Sequence, residues 1–471
     1  LDSVTGPKTR VIDCQGKTVL PGFNDAHCHI FSAIRKLLSL DLGPSAVGSI
    51  TDIKAAVRRE AEHTPPGRWI SGVGFNEFYL AEKRFPTRRD IDEVAPNHPV
   101  VLSHRSLHAC VLNFLALSLA GINRETPEPP GTLIEREFDT GEPNGILYEM
   151  LGYIREKVMP PISEEVMIKC AAQANRHYLS CGITSLQDAT VTNDYKRWLT
   201  LEQLIKADIL ESRLYMMTGR EGVGEFREAG LKTGAGDERL RLGAVKLMLT
   251  ATAKPSQSEL NRAALDLHCA GFQLAFHAVE PAMVAAAIEA LEYVNTQITI
   301  TGSRHRIEHC AECPPDLLKR LSRLPVVVVT QPPFVYYSGE RYLATLPADR
   351  LPWLYQFKSF FDGGLKVAGS SDSPIVPDSP LAGMCAAVTR KAASGQDVLP
   401  HEAITDQQAI AMYTTNAAYA SCEENIKGSI TPGKLADMVI LSADPTVIPP
   451  EKIKDVKVEM TIIGGRVVWE A

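Results

Sequence analysis

The stretch 21-PGFNDAHCHI-30 sets His27 and His29 one residue apart in a short, otherwise apolar segment. Successive side chains of a β-strand point to opposite faces, so residues i and i+2 share one. Read as a strand, the segment aims both imidazoles the same way, as a pincer for one cation. Two histidines at this spacing are a weak signal alone. Their weight depends on what the rest of the chain sets beside them.

Seven more apolar, β-branched-rich runs follow: GITSLQDA (182–189), SRLYMMTG (212–219), LGAVKLMLT (242–250), GFQLAFHAV (271–279), RHRIEHC (304–310), PVVVVTQPP (325–333) and LKVAGSSDSP (365–374). Stretches with helical spacing of apolar residues, such as SQSELNRAALDLHCAG and EPAMVAAAIEALEYV, lie between most of them. Strand alternating with helix at about thirty residues per unit implies parallel strands joined by crossover helices. With TVLPGFNDAHCHI in front, eight strands are expected. The fold class is therefore α/β, a (β/α)8 TIM-type barrel over residues 21–425, with its site at the carboxyl ends of the strands. Polar residues fall where that rule places them. His27 and His29 end the first strand, Asp188 the second, and Lys246 lies in the fourth. His277, His309 and Asp372 close the fifth, sixth and eighth.

Two regions lie outside this beat. Residues 31–180 separate the first two strands by far more than a crossover needs, and are expected to form an insertion folded over the barrel mouth. At the ends, TRVIDCQGKTVL (within 1–20) and the hairpin-like GSITPGKLADMVIL and KVEMTIIGGRVVWE (within 426–471) are expected to combine into a small composite β-domain.

The composition fits a globular protein: 471 residues, 45% hydrophobic, net charge −7. No basic stripe points to nucleic acid, and no apolar run is long enough to span a bilayer. The first residues, LDSVTGPKTR, lack the pattern of a signal peptide. Ten cysteines sit mostly singly in apolar segments, as reduced thiols do, so a cytoplasmic location is expected. Cys310 and Cys313 form a CxxC without a second pair, which argues against a zinc ribbon.

Imidazole nitrogen and carboxylate oxygen are the usual ligands of zinc and its first-row neighbours. His27, His29, His277, His309 and Asp372 on one rim make a metal site of one or two divalent ions the expected reading. Lys246 sits in an otherwise apolar strand, where a lone ammonium is costly. Two readings stand: it snorkels to the rim, or its amine takes up carbon dioxide and becomes a carbamate that bridges two metals. Beside the histidines the second is preferred.

PGFNDAHCHI, GAVKLMLT, AFHAVE, RHRIEHC and GSSDSP, with KLADMVIL near the end, resemble the amidohydrolase superfamily of metal-dependent hydrolases. PVVLSHRSLHACVLN, GEPNGILYE, GITSLQDA, and QPPF with GERYL are similar to its YtcJ-like, amidohydrolase-3 branch, which includes N-substituted formamide deformylases. The resemblance covers essentially the whole chain. It implies the barrel with a small composite β-sandwich, and it implies that His27, His29, Lys246, His277, His309 and Asp372 are metal ligands, Lys246 being carboxylated. Two departures stand out. Family members usually carry a longer N-terminal β segment, and strand five here reads HAVE, giving His277-x-x-Glu280. That spacing is similar to the HxxE of amidohydrolase deaminases; otherwise Glu280 simply opens the next helix.

The expected chemistry is hydrolysis of an amide- or formamide-type carbon–nitrogen bond of a small molecule by a hydroxide shared between the metals. Asp372 moves the proton, His309 supports the carbonyl-polarising ion, and Lys246 joins the two. His108, Glu280, Tyr336 and Arg341 are candidate substrate contacts, and Tyr337 and Trp353 lie in the same long segment after strand seven. Arg306 and Glu308 are expected on the opposite strand face, as a structural pair behind the barrel. Asp188 either orients a ligand histidine or caps a helix. Rival functions are a mononuclear deaminase with Glu280 as proton carrier, an ester or lactone hydrolase, and a non-catalytic binding barrel. A homodimer is expected by analogy only.

Overall fold

The structure, a computed structural model, describes residues 6, 7, 9–250 and 255–471. Each of the eight apolar runs supplies one parallel strand: β1 (Phe23–Cys28), β2 (Ile183–Asp188), β3 (Arg213–Gly219), β4 (Leu240–Met248), β5 (Leu274–Ala278), β6 (Arg306–His309), β7 (Val327–Thr330) and β8 (Lys366–Gly369). They pair in chain order from β1 to β8. Alternation divides the residues. Leu274 and Phe276 of β5, Val328 of β7 and Val367 of β8 belong to the large core beneath the helices. Val327, Val329 and Ala368 pack with Ala26 inside the ring. The crossover helices start on side-chain caps, such as Asp194 before Tyr195–Lys206 and the Ser256–Glu259 capping box before Gln257–Cys269.

The ring closes at its carboxyl rim. β1 and β8 meet through a parallel bridge between Cys28 and Ser373. There the Asp372 N–H donates to the His27 carbonyl and the His29 N–H to the Ser373 carbonyl, both at 2.8 Å.

The first expected run divides at Gly22. Thr18–Pro21 leaves the barrel and pairs antiparallel with Met438–Leu441. The Gly22 N–H donates to the Asp437 carbonyl at 2.9 Å, and a Cβ at Gly22 would lie 2.3 Å from Thr184 side-chain atoms, so only glycine allows this approach. Val458–Ile463 and Arg466–Glu470 complete a four-stranded antiparallel sheet drawn from both ends of the chain. Val439, Leu441 and Val458 join the large core, while Ile12 and Cys14 cover Ile440, Met460 and Ile462 on the other side. Among the described residues this is one sheet, not the two facing sheets of the expected sandwich: loop residues, not strands, cover its second face.

Between β1 and β2 the chain builds a six-stranded sheet, from Leu40–Asp41 to Pro143–Tyr148, with an apolar cluster on each face. The turn after its strand Val100–His104 reaches the barrel mouth. No helix among the described residues is long and apolar enough to cross a membrane.

Candidate metal centre

His27, His29, Lys246, His277, His309 and Asp372 line one cavity of about 160 Å³ at the barrel mouth, together with His108 from the inserted region. His29 Nε2 lies 3.0 Å and His27 Nε2 3.5 Å from Asp372 Oδ1. The ligand atoms of this trio lie within 4.8 Å of one another. Across the cavity, His309 Nε2 faces His277 Nδ1 at 3.0 Å. Lys246 Nζ is 3.3 Å from His27 Nε2. The sequence placed these six side chains on five strands, and the fold brings all of them together.

Local backbone explains how. The register of β1 against β2 slips between Asp25 and Cys28, so three residues span two partners. Beyond this bulge His27 and His29 turn inward. Asp25, two residues before His27, instead accepts from the Ser371 N–H at 2.9 Å. His309 and Asp372 sit at the ends of β6 and after β8 with φ of 70° and 59°. Left-handed backbone at non-glycine residues is strained and persists where the surroundings impose it.

That turn corrects the expectation for Arg306 and Glu308. In regular alternation they would lie opposite His309; because His309 leaves the strand line, all three point inside. Glu308 Oε2 is 2.5 Å from His27 Nδ1. Arg306 Nε donates to Glu308 Oε1 at 2.6 Å, and its other nitrogens donate to Gln187 Oε1 and the Ala26 carbonyl. Arg306 and Glu308 are fully buried, beneath His27 and not behind the barrel. Asp188 orients no ligand ring. Its Oδ2 accepts from the Ile30 N–H, capping the helix after β1, and its Oδ1 accepts from the Thr190 N–H.

Three rings are held by their other nitrogen: His27 by Glu308, His29 by Thr190 Oγ1 at 2.9 Å, and His309 by Gln331 Oε1 at 2.8 Å. Gln331 in turn donates to Ser370 Oγ. Sequence reasoning missed Thr190, Gln187 and Gln331; the polar run Thr330-Gln331 at the end of β7 was the one available signal.

Burial, aided by neighbouring positive charge, holds His27, His277 and His309 below the usual imidazole range. Burial also draws the Lys246 ammonium down to about 8. For Asp372 burial pushes upward, but the His29 hydrogen bond and nearby imidazoles outweigh it and hold the carboxyl well below its normal range. Neutral imidazoles, an ionised carboxylate and a readily deprotonated amine form a donor set suited to a divalent cation.

Of the expected substrate contacts, His108 lines the cavity; its Nδ1 is 2.9 Å from Glu149 Oε1, which raises the imidazole's pKa. Glu280, Tyr336 and Arg341 are not among the cavity's lining residues. Glu280 precedes the helix Pro281–Gln297 at its N-cap without capping it through its side chain. Tyr336 packs against the large core, and the Arg341 guanidinium lies 4.4 Å over the Tyr342 ring. The CxxC thiols are buried and free.

The chain is 29% identical to the N-substituted formamide deformylase of Arthrobacter pascens, covering 98% of this chain and 90% of that one. It is 28% identical to the protein named "Putative amidohydrolase YtcJ" of Bacillus subtilis (strain 168), covering 98% and 91%. An uncharacterized metal-dependent hydrolase from Pyrococcus furiosus superposes with a TM-score of 0.69 at 26% identity, over 92% of this chain and 89% of that one. One from Pyrococcus horikoshii gives 0.74 at 24%, over 94% and 89%. Residues 10–469 match the family described as "Amidohydrolase family", and the chain belongs to that family.

Proposed function

We propose that the protein hydrolyses an amide- or formamide-type carbon–nitrogen bond of a small molecule at this centre, using one or two divalent cations, zinc being the first candidate. One observation carries the reading. Six potential ligands from five strands share one cavity, and three of the histidines have their remaining ring nitrogen fixed by the protein, as metal-binding histidines do. His27, His29 and Asp372 would hold one ion, and His277 and His309 the other. Lys246, as a carbamate, would join them. A divalent cation here supplies a water of lowered pKa and polarises the substrate carbonyl.

The chain's own groups do the rest. Asp372, kept ionised, takes the proton from the attacking water and delivers it to the leaving nitrogen. His108 reaches over the cavity from the inserted region and donates toward the substrate oxygen. Glu308 and Arg306 keep the His27 ring from turning. The deaminase alternative needs Glu280 in the cavity, and its place outside the lining gives that reading no support. Formamide chemistry is favoured over ester or lactone hydrolysis by the Arthrobacter relative's name.

The test is metal-reconstituted protein offered a panel of N-formyl and N-acetyl amines, with released amine and carboxylate measured. Hydrolysis that disappears with a chelator and returns with metal is expected. A chelated protein as active as the loaded one, or a protein that binds no divalent metal, would overturn the reading.

A further inference from the structure

A second cavity, of about 430 Å³, adjoins the metal centre, with Leu107 and Ile375 lining both. Its walls are mostly apolar or aromatic, including Val73, Tyr79, Tyr337 and Val376. Arg105, from the same turn that carries His108, also lines it. Two of the five N–H donors of this guanidinium are used: Nε to the Ile375 carbonyl at 3.2 Å and Nη1 to the Tyr337 carbonyl at 3.3 Å. Among the described residues no carboxylate lies within 4.0 Å of it; Arg213 and Arg306 are ion-paired, whereas the buried Arg390 is satisfied by three backbone carbonyls. The cavity's own carboxylates are engaged elsewhere: Asp41 with the Gly43 N–H and Glu340 with the Ser394 N–H. Lys36 and Asp41 are exposed at the cavity's outer end.

A guanidinium fork without a counter-ion, in an apolar pocket beside a hydrolytic centre, is suited to a planar anion presented by a hydrophobic ligand. We propose that this cavity receives the non-reacting part of the substrate, a hydrophobic group bearing a carboxylate that pairs with Arg105. The substrate class is thus amides of amphipathic acids. The inference rests on the hydrolase reading above, and Leu107 and Ile375, which line both cavities, mark where the two adjoin.

Calorimetric titration of the metal-loaded protein with 4-phenylbutyrate and with the neutral 4-phenylbutanol tests it. The acid is expected to bind about tenfold more tightly than the alcohol. Arg105→Gln abolishes the difference and Arg105→Lys keeps part of it. Ala393→Trp, at the exposed edge of the cavity, weakens both probes with Arg105 intact. Equal binding of the two probes, no binding of either, or an acid preference that survives Arg105→Gln would overturn the proposal, the last by placing the carboxylate on the metal. A protein that hydrolyses amides but shows no acid preference would sink this inference alone. Loss of metal-dependent hydrolysis in the wild type would sink the hydrolase reading instead.

Discussion

The Glu308 carboxylate has two tasks: it fixes His27 Nδ1 and neutralises Arg306 in a site with no solvent. Removing a partner that orients a metal-binding histidine costs about 10–100-fold in metal affinity. Glu308→Gln is expected to fall in that range in a competition titration against a chromophoric chelator, with a lower Tm because Arg306 keeps a buried charge. Thr190→Val loses only the His29 contact, so a weaker metal site with an unchanged Tm is expected there. Asp372→Asn and Lys246→Ala should each abolish turnover while leaving the circular dichroism spectrum intact. With 13C-bicarbonate, metal-loaded wild type should show a carbamate carbon resonance that Lys246→Ala lacks. Its absence in wild type would remove the bridging role of Lys246. The six candidate ligands were legible because their chemistry is unusual at strand ends. Arg306 and Glu308 were misplaced because a positive φ at His309 breaks the alternation on which facing was judged, and nothing in the letters of RHRIEHC announces it.

Between elements, two contacts join the parts of the fold. Arg213 at the start of β3 grips Asp437 beside the small sheet, Nε to Oδ2 at 2.7 Å and Nη2 to Oδ1 at 3.0 Å, with both groups buried. Breaking such a pair leaves Arg213 with only its longer contact to the exposed Glu238 at 3.5 Å, so Asp437→Ala should cost about 3 kcal/mol in denaturant unfolding. On the other side His177, on the helix Glu164–Ser180, reaches Asp378 in the segment after β8, Nε2 to Oδ2 at 3.1 Å. The Asp378 hydrogen bond raises this imidazole to about 10. A raised folded-state pKa means the contact stabilises fully below the unfolded value of about 6.5 and is lost as pH climbs through about 10. The Tm gap between wild type and His177→Gln should therefore be widest near pH 6 and close above pH 10. It will be modest, since half of the His177 side chain is in water. Strand identity was the most legible level: every expected barrel run holds its strand, because parallel strands buried on both faces read as continuous apolar segments. What escaped was the division at Gly22, which depends on the close approach of Thr184, a residue far along the chain.

For the whole molecule, bound cations should act as stabilisers, since the unfolded chain cannot reproduce the site. At free metal a thousandfold above Kd the gain is about 4 kcal/mol. Calorimetry of loaded against chelated protein should show a clearly higher Tm for the former, and coincident transitions would contradict the site. The sequence announced that a large region separates the first two barrel strands, but not its six-stranded sheet or which turn overhangs the site. That arrangement depends on pairings among short strands whose order, with Leu133–Arg136 outermost beyond Pro143–Tyr148, no local pattern encodes.

The seam where β1 meets β8 has a consequence in time. His29 and Asp372 stand 343 positions apart, yet their contact lies where the ring is joined. A growing polypeptide emerging from the ribosome displays the His27–His29 pair long before its third anchor, which is made 343 residues after His29. A chain cut short before Asp372 carries only two donors of this trio, and is expected to hold a divalent cation less tightly than the full set.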